Sequence, residues 1–328
     1  MLIAALALIV GFVTLVWSAD RFLNGAAASA RLLGMSPLMI GLTIVSLGTS
    51  APEIMVAVAA AFNGTTILAI GNAIGSNIAN IGLVLGIAAL IAPLPFARSV
   101  LSSELPWLMA ATVAAFVVLF NLHLGRWEGV GLLVMLGVLM WRLVREHKRE
   151  HAADGDSEVD LDLEPELEEI AALEQLTHTQ AIIWLLTGLV VLLLAAQLLV
   201  WAATEMAMLL GVSELIIGLT VIAVGTSLPE LAATVGSVIK GHTDIAIGNV
   251  VGSNILNILA VMALPPIIAP VTLDVAIMWR DFGMMLAMTL LLLLFAYGLN
   301  RRPVITRFEG AVLLLAWIGY NSLLFVQA

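Results

Sequence analysis

The sequence predicts an all-α integral membrane fold with ten transmembrane helices arranged as two inverted five-helix repeats. Three observations predict it. The chain is 62% apolar and 11% charged, with a mean hydropathy of +1.11, whereas soluble domains run nearer half apolar and a quarter charged. Its apolar residues gather in ten segments of the length a spanning helix needs, roughly 20 residues. One half of the sequence also repeats the other at a fixed spacing.

In chain order the segments are residues 2–18, 36–61, 67–91, 103–122, 126–145, 179–203, 213–239, 244–268, 273–298 and 307–326. The first has neither a basic start nor a small-residue cleavage site before Asp20, so it reads as a span and not as a signal peptide. Segments five and six are separated by a polar stretch, 146–178. Of the 23 acidic residues, 12 lie within 146–174. The formal charge of −10 is therefore mostly the property of one solvated linker. The predicted organisation is a first five-helix repeat over 1–145, an acidic cytoplasmic linker over 146–178 and a second repeat over 179–328.

Lys and Arg set the orientation, because cytoplasmic loops collect them. With the N-terminus outside, Arg21, Arg31, Arg98, Arg142, Arg145, Lys148, Arg149, Lys240, Arg301, Arg302 and Arg307 face the cytoplasm, and Arg126 and Arg280 face outward. The opposite orientation inverts that bias. Both termini are therefore placed outside. Five spans is an odd number, so the second repeat must be upside down relative to the first.

The repeat itself is explicit. Gly41-Leu-Thr-Ile-Val-Ser-Leu-Gly-Thr-Ser-Ala-Pro-Glu53 aligns with Gly218-Leu-Thr-Val-Ile-Ala-Val-Gly-Thr-Ser-Leu-Pro-Glu230. Gly71-Asn-Ala-Ile-Gly-Ser-Asn-Ile-Ala-Asn80 aligns with Gly248-Asn-Val-Val-Gly-Ser-Asn-Ile-Leu-Asn257. Both pairs share an offset of 177. Transporters built from inverted repeats place substrate near the midplane, at the repeat interface.

The residue types suit a hard cation. Pro52 and Pro229 interrupt the backbone ladder of their helices near Gly48 and Gly225, which frees carbonyl oxygens. Thr49, Ser50 and Glu53 add side-chain oxygens from one half, and Thr226, Ser227 and Glu230 from the other. Ser76 and Asn80, with Asn72, form a polar stripe at four-residue spacing, and Ser253 and Asn257, with Asn249, repeat it. The donors are all oxygen, as calcium prefers, and two carboxylates neutralise one divalent ion. Softer metals favour His or Cys; the stripes hold neither, and the chain has no Cys.

Other polar residues read as ordinary. Asn72 and Asn249 stand behind the ligands or pack. Asn77 and Asn254 face away from the stripe and hold helices together. Asp20, Glu104, Glu205, Glu214, Asp274 and Asp281 lie near span ends and read as interfacial. An intramembrane protease would need a Ser with a His or Lys base, a carboxylate dyad suited to proteolysis, or a zinc site; Glu53 and Glu230 could in principle form such a dyad, yet their hydroxyl-rich surroundings suit ion ligation better. No His or Lys lies in the motif spans, so an enzyme is not expected. A passive channel would show no counter-ion dependence.

The two motif pairs resemble the alpha repeats of the calcium/cation antiporter superfamily, which includes the sodium/calcium exchangers. They are most similar to bacterial inner-membrane calcium/sodium antiporters with ten spans and a short acidic linker. That resemblance implies alternating access, with several sodium ions exchanged for one calcium and no cofactor. Carried over by motif position, it implies Glu53 and Glu230 as central calcium ligands, with the backbone carbonyls of Thr49 and Thr226. It implies an outer sodium site from the Ala223 carbonyl, Thr226, Ser253 and Glu53. The inner site takes the Ser46 carbonyl, Thr49, Ser76 and Glu230. Asn80 and Asn257 face a middle site. Some members carry Asp where this chain has Asn257, and this leaves a calcium (cation)/proton antiporter on the same fold as the alternative. The expected partners are calcium, sodium and the lipid bilayer of a bacterial inner membrane, with no nucleic acid, and the expected state is a monomer.

Overall fold

The computed structural model describes residues 2–33, 39, 41–153, 177–209, 223–297 and 303–327. Most of the acidic linker, Glu214 and the opening of the second Gly-Leu-Thr motif lie outside the described residues. Over its described part, each of the ten apolar segments is helical. Among the described residues, six helices are long and apolar enough to cross a membrane, or seven if one bent pair is a single span.

Helix α1 (Leu2–Leu33) runs well past the expected end at residue 18. Residues 19–33 are rich in Ala, Leu and Arg and contain no Pro, so nothing ends the helix. Its 32 residues span about 48 Å at 1.5 Å per residue, more than the ~30 Å hydrocarbon core. Helix α7 (His178–Leu209) is as long. The two pack antiparallel through glycine. A Cβ on Gly25 would lie 2.2 Å from the Leu185 nitrogen, and one on Gly188 would lie 2.4 Å from that of Phe22. Leu15, Ala19, Phe22, Leu23, Leu192 and Leu199 form an apolar cluster around this pair, distinct from the main core.

The second segment is two helices, α2 (Gly41–Thr49) and α3 (Ala51–Phe62), bent by 48°. The break falls at Ser50, whose φ and ψ are −82° and 3°. Pro52 then lies in the first turn of α3, where its missing N–H costs nothing. Downstream come α4 (Thr66–Ile91) and α5 (Val100–Leu119), then α6 (Arg126–Ala153). In the second half, α8 (Ala223–Thr226) and α9 (Leu228–Ile239) flank Ser227 as α2 and α3 flank Ser50. They are followed by α10 (Thr243–Ile268), α11 (Ile277–Tyr297) and α12 (Arg307–Gln327).

The centre belongs to α4 and α10. Their spanning stretches are 78% and 83% buried, against 28% for α1 and α7. Packing is crossed between halves. Helix α2 lies on α10, α8 on α4, and both α3 and α9 touch both stripe helices. Glycine permits the approach: a Cβ on Gly252 would meet the Leu42 carbonyl and the Ser46 hydroxyl at 2.7 Å, and one on Gly41 would meet the Ile245 carbonyl at 2.6 Å.

Two short antiparallel ribbons tie the connections together. Strand β1 (Leu94–Pro95) pairs with β4 (Val304–Ile305), and β2 (His123–Leu124) pairs with β3 (Val271–Thr272). Each ribbon joins one half to the other. The last helices match as well. Arg126-x-Glu128-Gly129 opens α6 and Arg307-x-Glu309-Gly310 opens α12. Glu128 Oε2 accepts from the Gly125 N–H at 3.1 Å and Glu309 Oε2 from that of Thr306 at 2.7 Å, each satisfying a helix-start donor.

Two acids read as interfacial are not exposed. Glu104 is buried beside Trp107, Leu139 and Gly252 of α10. Asp281 meets Arg280 at 2.7 Å and the Tyr320 hydroxyl at 2.8 Å. Both lie within the first turns of α5 and α11, which neighbouring helices cover.

Candidate functional site

The site forms where the breaks in the second and seventh segments meet the stripes of α4 and α10. Glu53 and Glu230 each sit in the first turn after a break, where unpaired N–H groups and the helix dipole favour a negative charge. Both are 1% exposed. Ser46, Thr49, Ser50, Ser76, Asn80, Ser227, Ser253 and Asn257 are all buried too. Thr226 is partly buried in α8, the helix that begins at Ala223 and packs on α4.

Hydrogen bonds join the halves directly. Ser50 donates through Oγ to Glu230 Oε1 at 3.0 Å, so the Glu230 carboxylate reaches the turn that carries Glu53. Thr49 donates through Oγ1 to Asn249 Oδ1 at 3.2 Å. The Ser46 carbonyl accepts the Ser50 N–H at 2.9 Å and lies 3.4 Å from the Thr49 hydroxyl; that hydroxyl has one proton, and while it serves the shorter bond to Asn249 the carbonyl keeps a lone pair for another partner. The Ser46 hydroxyl is engaged by the Leu42 carbonyl at 2.5 Å, which leaves its carbonyl as the atom able to serve a ligand.

Several buried polar atoms here meet no hydrogen-bond partner in the protein: Oε2 of Glu53 and of Glu230, Oγ of Ser76, Ser227 and Ser253, both amide atoms of Asn80, and Oδ1 of Asn257. Leaving one buried polar group unmet costs about 1–3 kcal/mol. A cluster of oxygens, two of them carboxylate, is a donor set that a dehydrated hard cation satisfies. Among the described residues no group of three or more His, Cys, Asp or Glu could hold a metal ion. Neutral oxygens must therefore supply most of any coordination shell.

Backbone geometry adds what periodicity did not foretell. The helix widens into a π turn at Asn80–Leu85 and again at Asn257–Val261. Such turns recur at functional sites, and here each begins at the stripe's last Asn. Thr234 was also missed. It is fully buried and accepts from Asn249 Nδ2 at 2.8 Å. Its spacing of four from Glu230 could have revealed it. Asn249 is more than packing, since Nδ2 also reaches the Glu230 carbonyl at 3.4 Å. The Asn77 amide donates to Ala73 on its own helix at 2.8 Å, and the Asn254 amide has no protein partner.

Comparison with known proteins places these residues in context. The family described as sodium/calcium exchanger protein matches residues 3–145 and 180–326. The chain is similar to CaxA of Alkalimonas amylolytica, 46% identical over 327 residues and covering 99% of each chain. It is similar to the inner membrane protein YrbG of Escherichia coli, 38% identical, with 99% of this chain and 98% of that one covered. Among solved structures it resembles the sodium-calcium exchanger NCX_Mj, with a TM-score of 0.80, 28% identity and 98% of each chain covered.

Proposed function

The chain belongs to the sodium/calcium exchanger family, and from that premise we propose that it exchanges calcium for sodium across a bacterial inner membrane by alternating access, binding the cation between Glu53 and Glu230. One observation carries the reading. Among the described residues, most buried polar atoms with unmet valence lie on the two repeated motifs, where the halves cross. Thr49, Ser50, Ser76, Asn80, Thr226, Ser227, Ser253 and Asn257, with the carbonyls of Ser46 and Ala223, complete the proposed shell.

The ribbons support ten spans in two inverted repeats. Strand β1 follows the third segment, and its partner β4 precedes the tenth, which is the fifth of its half. Strand β2 precedes the fifth segment, and its partner β3 follows the eighth, the third of its half. If each segment crosses once, equivalent loops of the two halves lie at opposite ends, as inversion requires. The packing supports a two-body movement. Helices α1 and α7 meet along their length, in a cluster that also takes in Val45, Ala233 and Ile245 of the core helices, and slide as a unit over the core when calcium or sodium neutralises the glutamates. Three cations assigned to the cytoplasmic side stack on rings there: Arg21 at 4.0 Å from Trp184, Arg142 at 5.7 Å from Trp107 and Arg145 at 5.1 Å from Trp141. Such aromatic–cation pairs suit a membrane interface.

The test is calcium-45 uptake into vesicles under separate sodium, potassium and proton gradients. Sodium-driven uptake is expected, falling at least a hundredfold in Glu53→Gln and in Glu230→Gln. Retention of uptake in both variants overturns the assignment. A second reading is favoured by Asn257, a neutral amide with Oδ1 unmet. With only two carboxylates, protons alone could balance calcium. Uptake driven by a pH gradient in sodium-free buffer would establish that proton-coupled reading instead.

A further inference from the structure

Glu53 and Glu230 hold equivalent places in the two halves, yet what surrounds them differs. Four residues after Glu230 stands Thr234; four after Glu53 stands Ala57. Both positions are fully buried. Thr234 Oγ1 accepts from Asn249 Nδ2 at 2.8 Å. That bond turns the amide so that Oδ1 accepts from Thr49 Oγ1 at 3.2 Å, while Nδ2 also reaches the Glu230 carbonyl at 3.4 Å. One amide thus holds both the turn of Glu230 and the hydroxyl of Thr49 from the other half.

The first half lacks the hydroxyl of this arrangement. Asn72 stands where Asn249 stands, but Ala57 offers a methyl in place of a hydroxyl, and Asn72 Nδ2 is buried with no partner. The serines differ in the same sense. Ser50 Oγ donates to Glu230 Oε1 at 3.0 Å, whereas Ser227 Oγ has no partner. Glu230 is fixed through its side chain and its backbone. Oε2 is unmet in both glutamates, but among the described residues Ser227 sends Glu53 no bond like the one that Ser50 sends Glu230.

We propose that Thr234 is a positioning residue that acts through Asn249 to hold Glu230 and Thr49 in place, making Glu230 the fixed anchor of the cation site and Glu53 its adjustable ligand. This rests on the reading that the two glutamates bind the transported ion. Calcium needs several oxygens placed at once, so pre-set donors lower the ordering cost of binding. Calcium carries twice the charge of sodium, so a misplaced Glu230 carboxylate costs calcium binding more than sodium binding.

Thr234→Val keeps the shape and removes the hydroxyl. The calcium KM for exchange is expected to rise about tenfold, the effect of one lost hydrogen bond, with the sodium half-saturation concentration rising less and the maximal rate falling less than KM rises. Thr234→Ser, which restores the hydroxyl, is expected to return KM to within about twofold of the parent value. Each variant is first checked for a monodisperse peak after detergent extraction. An unchanged calcium KM in Thr234→Val, an equal rise for both ions, or a maximal rate that falls while KM stays constant overturns the proposal. So does failure of folded Thr234→Ser to restore KM. A merely structural role would lower yield and maximal rate together without separating the ions. The underlying reading has its own control. If Glu53→Gln and Glu230→Gln retain exchange, the cation site fails; if they abolish it and Thr234→Val leaves KM unchanged, only the positioning role fails.

Discussion

At the scale of the residue, the site is an exercise in unmet valence. Thr49 and Ser50 have partners across the repeat boundary, while Asn80, Ser76, Ser253 and Asn257 keep buried atoms without protein partners. Most buried polar groups are paired, so a cluster of exceptions calls for a missing counterpart. Asn257, at the end of the second stripe, is 1% exposed. Asp is nearly isosteric there, and Asn257→Asp adds a third buried carboxylate beside Glu53 and Glu230. An isolated buried charge is costly, so it recruits a further cation. The expected outcome is a higher Hill coefficient for sodium, read from calcium uptake as a function of sodium inside the vesicle. An unchanged coefficient would place residue 257 away from the ions.

At the scale of the element, glycine decides which helices can move together. Gly25 and Gly188 bring the α1 and α7 backbones into direct contact, as small residues do between membrane helices. Adding a methyl group at Gly188 places it 2.4 Å from the Phe22 nitrogen, where backbone and not a flexible side chain must yield. Overpacking of this kind costs about 1–3 kcal/mol. Gly188→Ala is expected to lower the melting temperature, followed by tryptophan fluorescence from Trp17 and Trp184, which flank Arg21. Gly137, with no heavy atom within 4 Å of its Cβ position, is the matched control, and its Ala variant is expected to melt with the parent.

At the scale of the whole molecule, the proposed exchange requires α1 and α7 to shift against the core. Asp20 and Asn24 of α1 meet Lys240, just after α9, at 2.5 Å each. Position 20 therefore marks the boundary between the two bodies. The chain contains no cysteine, so a pair introduced as Asp20→Cys and Lys240→Cys has no background. Bridging the pair with a short, reducible thiol cross-linker is expected to stop calcium-45 exchange, and reduction to restore it. Continued exchange in the bridged protein would mean that α1 does not move relative to α9.

The sequence by itself determined the all-helical membrane class, because apolar content and segment length leave few other ways to satisfy backbone groups in lipid. It also singled out the two motifs, since polar residues kept at one offset in both halves stand out against apolar helices. Tertiary structure decided what local pattern cannot encode. Helix α1 continued past residue 18 because nothing local stopped it, and packing on α7 covered its far part. Glu104 and Asp281 looked interfacial and are covered by neighbouring helices. The repeat at α6 and α12 was hidden by a four-residue change of spacing in the preceding loops. Thr234 carries no motif that marks it within an apolar helix. Its bond to Asn249, and so the difference between Glu230 and Glu53, exists only once α9, α10 and α2 have come together.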